Sequence, residues 1–278
     1  MQDTRGAVTV AALQQMKRDG TRIVGVVAWD WQMARIVDRA GVDIVSVGDT
    51  VGVNLWGHEN PLEITLDEMV VVARAVRRGV RRALVSVDFP FGPLQEGTDA
   101  ALRAAIRLVK EAGVDMVKLD GAAAFPEAVR AISCAGIPVF AHMGVTPQTA
   151  LQWGVDYAAM LAPGAVLPAG ATERLVDEAK LLEEAGAALI DFQHSGPVAG
   201  PAVVQAVSIP VVGGLGGGPW LDGRMRMAHA AIGYAASQID APTDAYAHVA
   251  PLALGAIQAY AADVRAGRQI KGSIPVQG

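Results

Sequence analysis

A chain of 278 residues with 52% hydrophobic and 18% charged side chains can build one large domain or two small ones, and it is too apolar for extended disorder. Its net charge of −5 gives no reason to expect nucleic acid or an acidic membrane as partner, and a single cysteine, Cys134, excludes an intramolecular disulfide. No basic segment followed by an apolar one opens the chain, and no apolar stretch is long enough to span a bilayer, so the cytoplasm is the expected compartment.

Residues 8–19 have Val10, Leu13 and Met16 at helical spacing, with Gly20 as the stop. Residues 23–28 read as a buried strand, and Asp30 as the cap of a helix through Met33, Ile36 and Val37. That helix ends at Ala40-Gly41, and Ile44-Val45-Ser46-Val47 follows as a second strand. The phrase recurs at Ala112-Gly113, Ala135-Gly136 and Ala185-Gly186, each a glycine-capped helix end just before a short apolar run. Further strands are predicted near residues 83–87, 115–119, 137–141, 155–160, 188–192 and 209–213. Thr65 with Glu68 forms a capping box that opens a helix over 66–78, and Thr98 and Thr172 are candidate caps of two more. Repeated strand, turn and helix in eight units predict an α/β fold, a (β/α)8 TIM barrel, over an open doubly wound sheet. No linker divides the chain, so residues 1–278 are expected to form a single barrel domain. The N-terminal helix would plug or flank its bottom, and residues 243–266 would add a C-terminal helix.

In such a barrel the C-terminal ends of the strands share one site. Asp49, Asp88, Lys118, Asp120, His142 and Gln193 all fall there. Asp49 and Asp88 are the best ligands for magnesium, which takes one or two carboxylates together with water and substrate oxygens. Asp120 is a third candidate, direct or through water. Each aspartate could instead cap the helix that follows it. Lys118 shares a strand face with Asp120, and an inward lysine needs a counter-ion or an anionic guest. A carboxylate or keto oxygen suits it. His142 is placed to bond substrate or move a proton. His58, in a loop, and His229, in a helical stretch, are weaker candidates. The run Gly213-Gly214-Leu215-Gly216-Gly217-Gly218 is compatible with a phosphate cradle and equally with close backbone packing.

Five blocks then point to a family: Val47-Gly48-Asp49-Thr50-Val51-Gly52, Asp88-Phe89-Pro90-Phe91, Met116-Val117-Lys118-Leu119-Asp120-Gly121, His142-Met143-Gly144-Val145-Thr146-Pro147-Gln148 and Ile209-Pro210-Val211-Val212-Gly213. In this order they resemble the ketopantoate (3-methyl-2-oxobutanoate) hydroxymethyltransferases, which belong to the phosphoenolpyruvate mutase and isocitrate lyase superfamily of barrels. The similarity covers about residues 9–233. It implies a homo-oligomeric transferase that joins a one-carbon unit from 5,10-methylenetetrahydrofolate to the enolate of a 2-oxo acid held by Mg2+. By position, Asp49 and Asp88 would bind the metal, with Asp120 in place of a family glutamate near it. Thr50 and Lys118 would hold the substrate carboxylate or keto oxygen, and His142 would line the substrate wall.

Two positions depart from the family. Its general base is a glutamate at the end of what counts here as the seventh strand, where this chain has Gln193, an amide that takes no proton at neutral pH. Asp191, on the same strand face, and His194 are the neighbouring substitutes. The basic, aromatic segment that closes the folate end is replaced by Tyr234-Ala235-Ala236-Ser237-Gln238-Ile239. The expectation is therefore magnesium-dependent carbon–carbon bond formation at a 2-oxo acid enolate. The alternatives are a divergent 2-oxo acid aldolase or lyase that uses no folate, and a 2-oxo acid binding protein that has lost its chemistry. A phosphate-binding barrel using the 213–218 loop leaves the three acidic strand ends unexplained.

Overall fold

The computed structural model describes residues 6–155, 160 and 170–272. Eight parallel strands close into a barrel in simple sequence order: β1 (Ile23–Val27), β2 (Ile44–Val47), β3 (Leu84–Asp88), β4 (Met116–Asp120), β5 (Val139–Gly144), β6 (Leu189–Gln193), β7 (Val211–Gly213) and β8 (Gly223–Met227). The (β/α)8 expectation therefore holds, with two changes of strand. The ring passes from β5 directly to β6, pairing His142 with Asp191 and Gly144 with Gln193. Gln193 thus ends the sixth strand and not the seventh. The strand expected at 155–160 lies mostly outside the described residues, and the ring is complete without it. The eighth strand is Gly223–Met227, for which no strand is predicted from sequence.

The bottom of the barrel is an apolar plug. Ile23, Ile44, Leu84, Met116, Phe140, Leu189, Val212 and Met225, one from each strand, meet in a single buried cluster. Leu13, from the helix Val10–Arg18, completes it and is fully buried. The N-terminal helix therefore caps the bottom, and burying Leu13 contributes on the order of 2 kcal/mol. Gly25 makes room for Met225, since a Cβ there would stand 1.9 Å from its sulfur.

Local signals explain most helix starts. Asp30 accepts from the Met33 N–H at 2.8 Å and opens Trp31–Arg39. Thr65 and Glu68 form the reciprocal capping box of Leu66–Gly79. Thr98 and Thr172 do not cap. The helices Thr98–Arg107 and Ala171–Glu184 start from Gly97 and Gly170, so both threonines lie inside the first turn. Glycine reaches the entry angles used there, φ +108° and +80°, without a Cβ penalty.

By contacts, residues to Arg226 form one compact unit, the barrel, and residues from Met227 form a second. The second contains the helix Val249–Arg265, shorter at its start than the 243–266 read from sequence. Gln238 closes a turn with Thr243 through two hydrogen bonds. Among the described residues no helix is long and apolar enough to cross a membrane.

Candidate active site

The apolar bottom leaves the polar residues no place but the upper mouth. Lys118, Asp120, His142, Asp191 and Gln193 are all buried, and each lies on a barrel strand. Asp49 follows β2 after Gly48 and is also buried. The strand register sets their heights. Asp88 pairs with Lys118, Asp120 with His142, and His142 with Asp191. Six of the residues singled out from sequence are thus brought to one surface by parallel pairing alone.

Lys118 is the electrostatic centre. Its Nζ lies 2.8 Å from Asp191 Oδ2 and 3.5 Å from Asp88 Oδ2. Burial alone would push the ammonium pKa down, but Asp191 and Asp88 outweigh it and hold it well above its ordinary value. Lys118 is therefore a permanent cation, and part of its charge is already matched by Asp191. Asp120 has its oxygens engaged. Oδ1 accepts from the Thr146 hydroxyl, and Oδ2 takes the Gln148 N–H at 3.3 Å and stands 3.4 Å from His142 Nδ1. Burial pushes Asp120 up, and His142 with Thr146 more than reverses this, so its pKa is lowered. His142 Nε2 has no hydrogen-bond partner among the described residues, with Asp191 Oδ2 3.8 Å away.

Asp49 and Asp88 are in the opposite condition. Burial raises the Asp49 pKa well above its ordinary value and Asp88 raises it further, although the Gln148 side chain donates to Asp49 at 2.9 Å. Burial also raises Asp88, against the pull of Lys118. Ser46 reaches Asp88 only at 3.4 Å. Two neighbouring carboxylates that share one lysine at 3.5 Å are what a divalent cation relieves. Among the described residues no three His, Cys, Asp or Glu side chains converge as a closed ligand set. Magnesium does not need one, because water and substrate fill most of its sphere.

On β6, Gln193 is held at both ends of its amide. Oε1 accepts from the Leu215 N–H at 2.7 Å, and Nε2 donates to Asp191 at 2.9 Å. His194 is the only described non-glycine residue with a left-handed backbone, φ +53°, and its N–H donates to the Leu215 carbonyl at 2.7 Å. The glycine-rich loop lies against these residues. A Cβ at Gly216, whose φ is +62°, would stand 2.7 Å from His194 Cα. At Gly214 it would stand 3.4 Å from Gln193 Oε1, and at Gly218 2.4 Å from the Trp220 ring. Close packing thus accounts for those glycines without a phosphate. Thr50 opens the short helix Val51–Trp56 and does not spend its hydroxyl on a cap. His58 packs by its ring against Gly52, and His229 lies in the short helix Ala228–Ala231 of the second unit.

Sequence reasoning assigned no role to Ser46, Thr146, Gln148 or Leu215. Ser46 carried a weak signal, a hydroxyl inside an apolar strand, but Ser86 on β3 shows the same pattern and its hydroxyl finds no partner among the described residues. Thr146 and Gln148 stand in a block read from sequence, but the aspartates they serve are contributed by other strands.

The chain matches the ketopantoate hydroxymethyltransferase family over residues 7–269. A 3-methyl-2-oxobutanoate hydroxymethyltransferase of Cyanothece sp. is 41% identical over 259 residues, covering 93% of this chain and 96% of that protein. One of Salinibacter ruber is 38% identical over 258 residues, covering 93% and 95%. The chain belongs to the ketopantoate hydroxymethyltransferase family. It is an enzyme of the transferase class. Its barrel is shared with 2,3-dimethylmalate lyase, a member of the PEP mutase/isocitrate lyase superfamily, at TM-score 0.60 and 14% identity over 98% of this chain and 93% of that one. Phosphonopyruvate hydrolase, solved with oxalate and Mg2+, has the same fold at TM-score 0.57 and 15% identity over 97% and 92%.

Proposed function

We propose that this member of the family forms a carbon–carbon bond at C3 of a 2-oxo acid through its enolate, by magnesium-dependent hydroxymethyl transfer. The observation that carries the reading is the placement of Asp49 and Asp88 together at the barrel mouth beside the buried Lys118, whose Nζ stands 3.5 Å from Asp88 Oδ2. Asp49 and Asp88 would hold the ion, with Gln148 fixing Asp49. Bound there, magnesium would supply Lewis-acid polarisation of the substrate carbonyl. Thr50 and Lys118 bind the carboxylate and keto oxygen, and Lys118 stabilises the negative charge that develops as C3 loses its proton. Asp120, occupied by three donors, steers His142 from its Nδ1 side. His142 Nε2 is then the group on this wall free to carry a proton. Both oxygens of Asp191 face donors, which makes it the counter-ion of Lys118. His194, in its strained backbone, is buried next to Gln193 at the end of β6.

The same anchor would serve a divergent aldolase or lyase acting on a 2-oxo acid. Gln193, which cannot accept a proton, favours that reading. The helix Val249–Arg265 exposes Leu252, Ile257, Tyr260 and Val264, which suit it as a contact between copies of the chain in a homo-oligomer. Light scattering at micromolar concentration should report more than one subunit.

The function is tested by incubating the protein with Mg2+, deuterated water and a series of 2-oxo acids, following C3 deuteration by NMR. Metal-dependent exchange establishes enolisation, and the order of the acids defines the acceptor. If the ion binds and no acid exchanges, the enolate reading is wrong.

A further inference from the structure

Between the apolar plug and the charged mouth lies a pair of hydroxyls. On β2 and β3 every second side chain points into the barrel. Ile44 and Leu84 join the plug. The next inward residues are Ser46 and Ser86, which are register partners on the two strands. Both are fully buried. Asp88 is the inward residue that follows Ser86 on β3, so the pair lies one step below it, toward the bottom.

The fold makes little use of either hydroxyl. Ser46 Oγ stands 3.4 Å from Asp88 Oδ1, beyond the usual O–H···O length of about 2.5–3.0 Å. Ser86 Oγ has no hydrogen-bond partner among the described residues. A buried hydroxyl left unmatched destabilises the fold, and alanine at that position would avoid the cost.

Two adjacent hydroxyls beneath a carboxylate suit one kind of ligand. Magnesium bound by one or two carboxylates keeps several of its waters. A water on a divalent ion turns its oxygen to the metal and its hydrogens outward, so it needs acceptors. Lys118 and the Gln148 amide offer none there, since both donate, to Asp88 and to Asp49. A serine oxygen accepts through its lone pairs while its own proton goes elsewhere. Ser46 can donate to Asp88 and accept from such a water at the same time, and Ser86 has both capacities open.

We propose that Ser46 and Ser86 together seat a water ligand of the divalent ion, and so act as positioning residues that set the affinity of the site for it. This rests on the reading of Asp49 and Asp88 as the ligands of that ion.

The test is binding of Mn2+, which takes the same octahedral oxygen shell as magnesium and whose free ion is read by electron paramagnetic resonance. Ser46→Ala and Ser86→Ala should each bind it about tenfold more weakly than the unaltered chain. Without metal, Ser86→Ala should melt no lower than the unaltered chain, because it removes an unmatched polar group. A lower metal-free melting temperature in Ser86→Ala would mean that the fold itself uses the hydroxyl, and overturns the proposal whatever the affinity. Weaker binding in only one of the two variants overturns the shared seat. If the unaltered chain takes up no Mn2+, or takes it up equally in Asp88→Ala, the metal reading falls and the role of the serines falls with it. Uptake that needs Asp88 but neither serine removes the serine pair alone.

Discussion

On the β2–β3 side of the barrel mouth, Asp49 is buried and Asp88 half-buried, Lys118 reaches only Asp88 and at 3.5 Å, and both carboxyls are pushed up. Across the ring on β6, Asp191 is at least as deeply buried, yet Lys118 and Gln193 supply donors to both its oxygens. The same residue type is therefore frustrated on one side and satisfied on the other. A carboxylate that its own fold leaves unsatisfied is one for which a ligand supplies the missing partner. A carboxylate that the fold satisfies is part of the frame.

The largest effect should come from the frustrated side. Asp49→Ala or Asp88→Ala should lower metal-dependent C3 exchange by about 10³-fold or more, and should remove the rise in melting temperature that Mg2+ gives the unaltered protein. Exchange persisting in both variants would break the division between the two sides.

On the satisfied side the damage should fall on stability. Lys118→Met leaves Asp191 buried and unpaired, at a cost of about 3–5 kcal/mol. Lys118→Met combined with Asp191→Leu should recover most of that loss in denaturant unfolding, while leaving exchange absent. If the double variant is no more stable than the single one, Asp191 is not the counter-ion of Lys118.

The two sides were unequally legible in the sequence. Asp49, Asp88 and Asp120 end apolar strands, so their height in the barrel followed from the period-two pattern and the glycine-capped helices before them. β8 was missed because Gly223-Arg224-Met225-Arg226-Met227 has no β-branched residue, and its arginines hide the alternation that buries Gly223 and Met225. A more β-like run at 155–160 took its place in the count, so the total of eight was right with one member exchanged. The state of each carboxylate was out of reach. Whether Asp191 is free or matched depends on Lys118, 73 positions earlier, and the orientation of Gln193 on the main chain of Leu215. Sequence reading left Asp191 and His194 both open as replacements for the missing glutamate. Only the donors found around Asp191 separate them.

The frustrated pair should also show itself in pH dependence. A carboxyl whose folded pKa is raised contributes stability that is complete below its unfolded value, near 4, and is lost as pH rises through the folded value. In metal-free protein, Asp49→Asn should therefore raise the melting temperature relative to the unaltered chain at neutral pH, by about 2–4 °C for each kcal/mol relieved. The gain should shrink toward pH 4 and disappear when Mg2+ saturates the unaltered protein. Asp120 runs the other way. Its lowered pKa supports the fold above its unfolded value and fails only as pH falls through the folded one, so Asp120→Asn should give no gain at neutral pH.

The smallest effect tests whether the charge on β6 can be moved. Gln193→Glu alone sets a second carboxylate where an N–H now meets Asp191 at 2.9 Å, so it should destabilise. Adding Asp191→Asn restores one donor and one acceptor between positions 191 and 193 and moves the charge one turn of the pleat toward the rim. The Leu215 N–H keeps its acceptor in either arrangement. The two substitutions should therefore couple favourably, by about 0.5–3 kcal/mol in a double-mutant cycle. The double variant, with a carboxylate at 193, should also exchange an all-carbon branched 2-oxo acid faster than either single variant. Additive stabilities would mean that Asp191 and Gln193 do not act as a unit. Coupled stabilities without faster exchange would keep the unit and deny position 193 a part in proton removal.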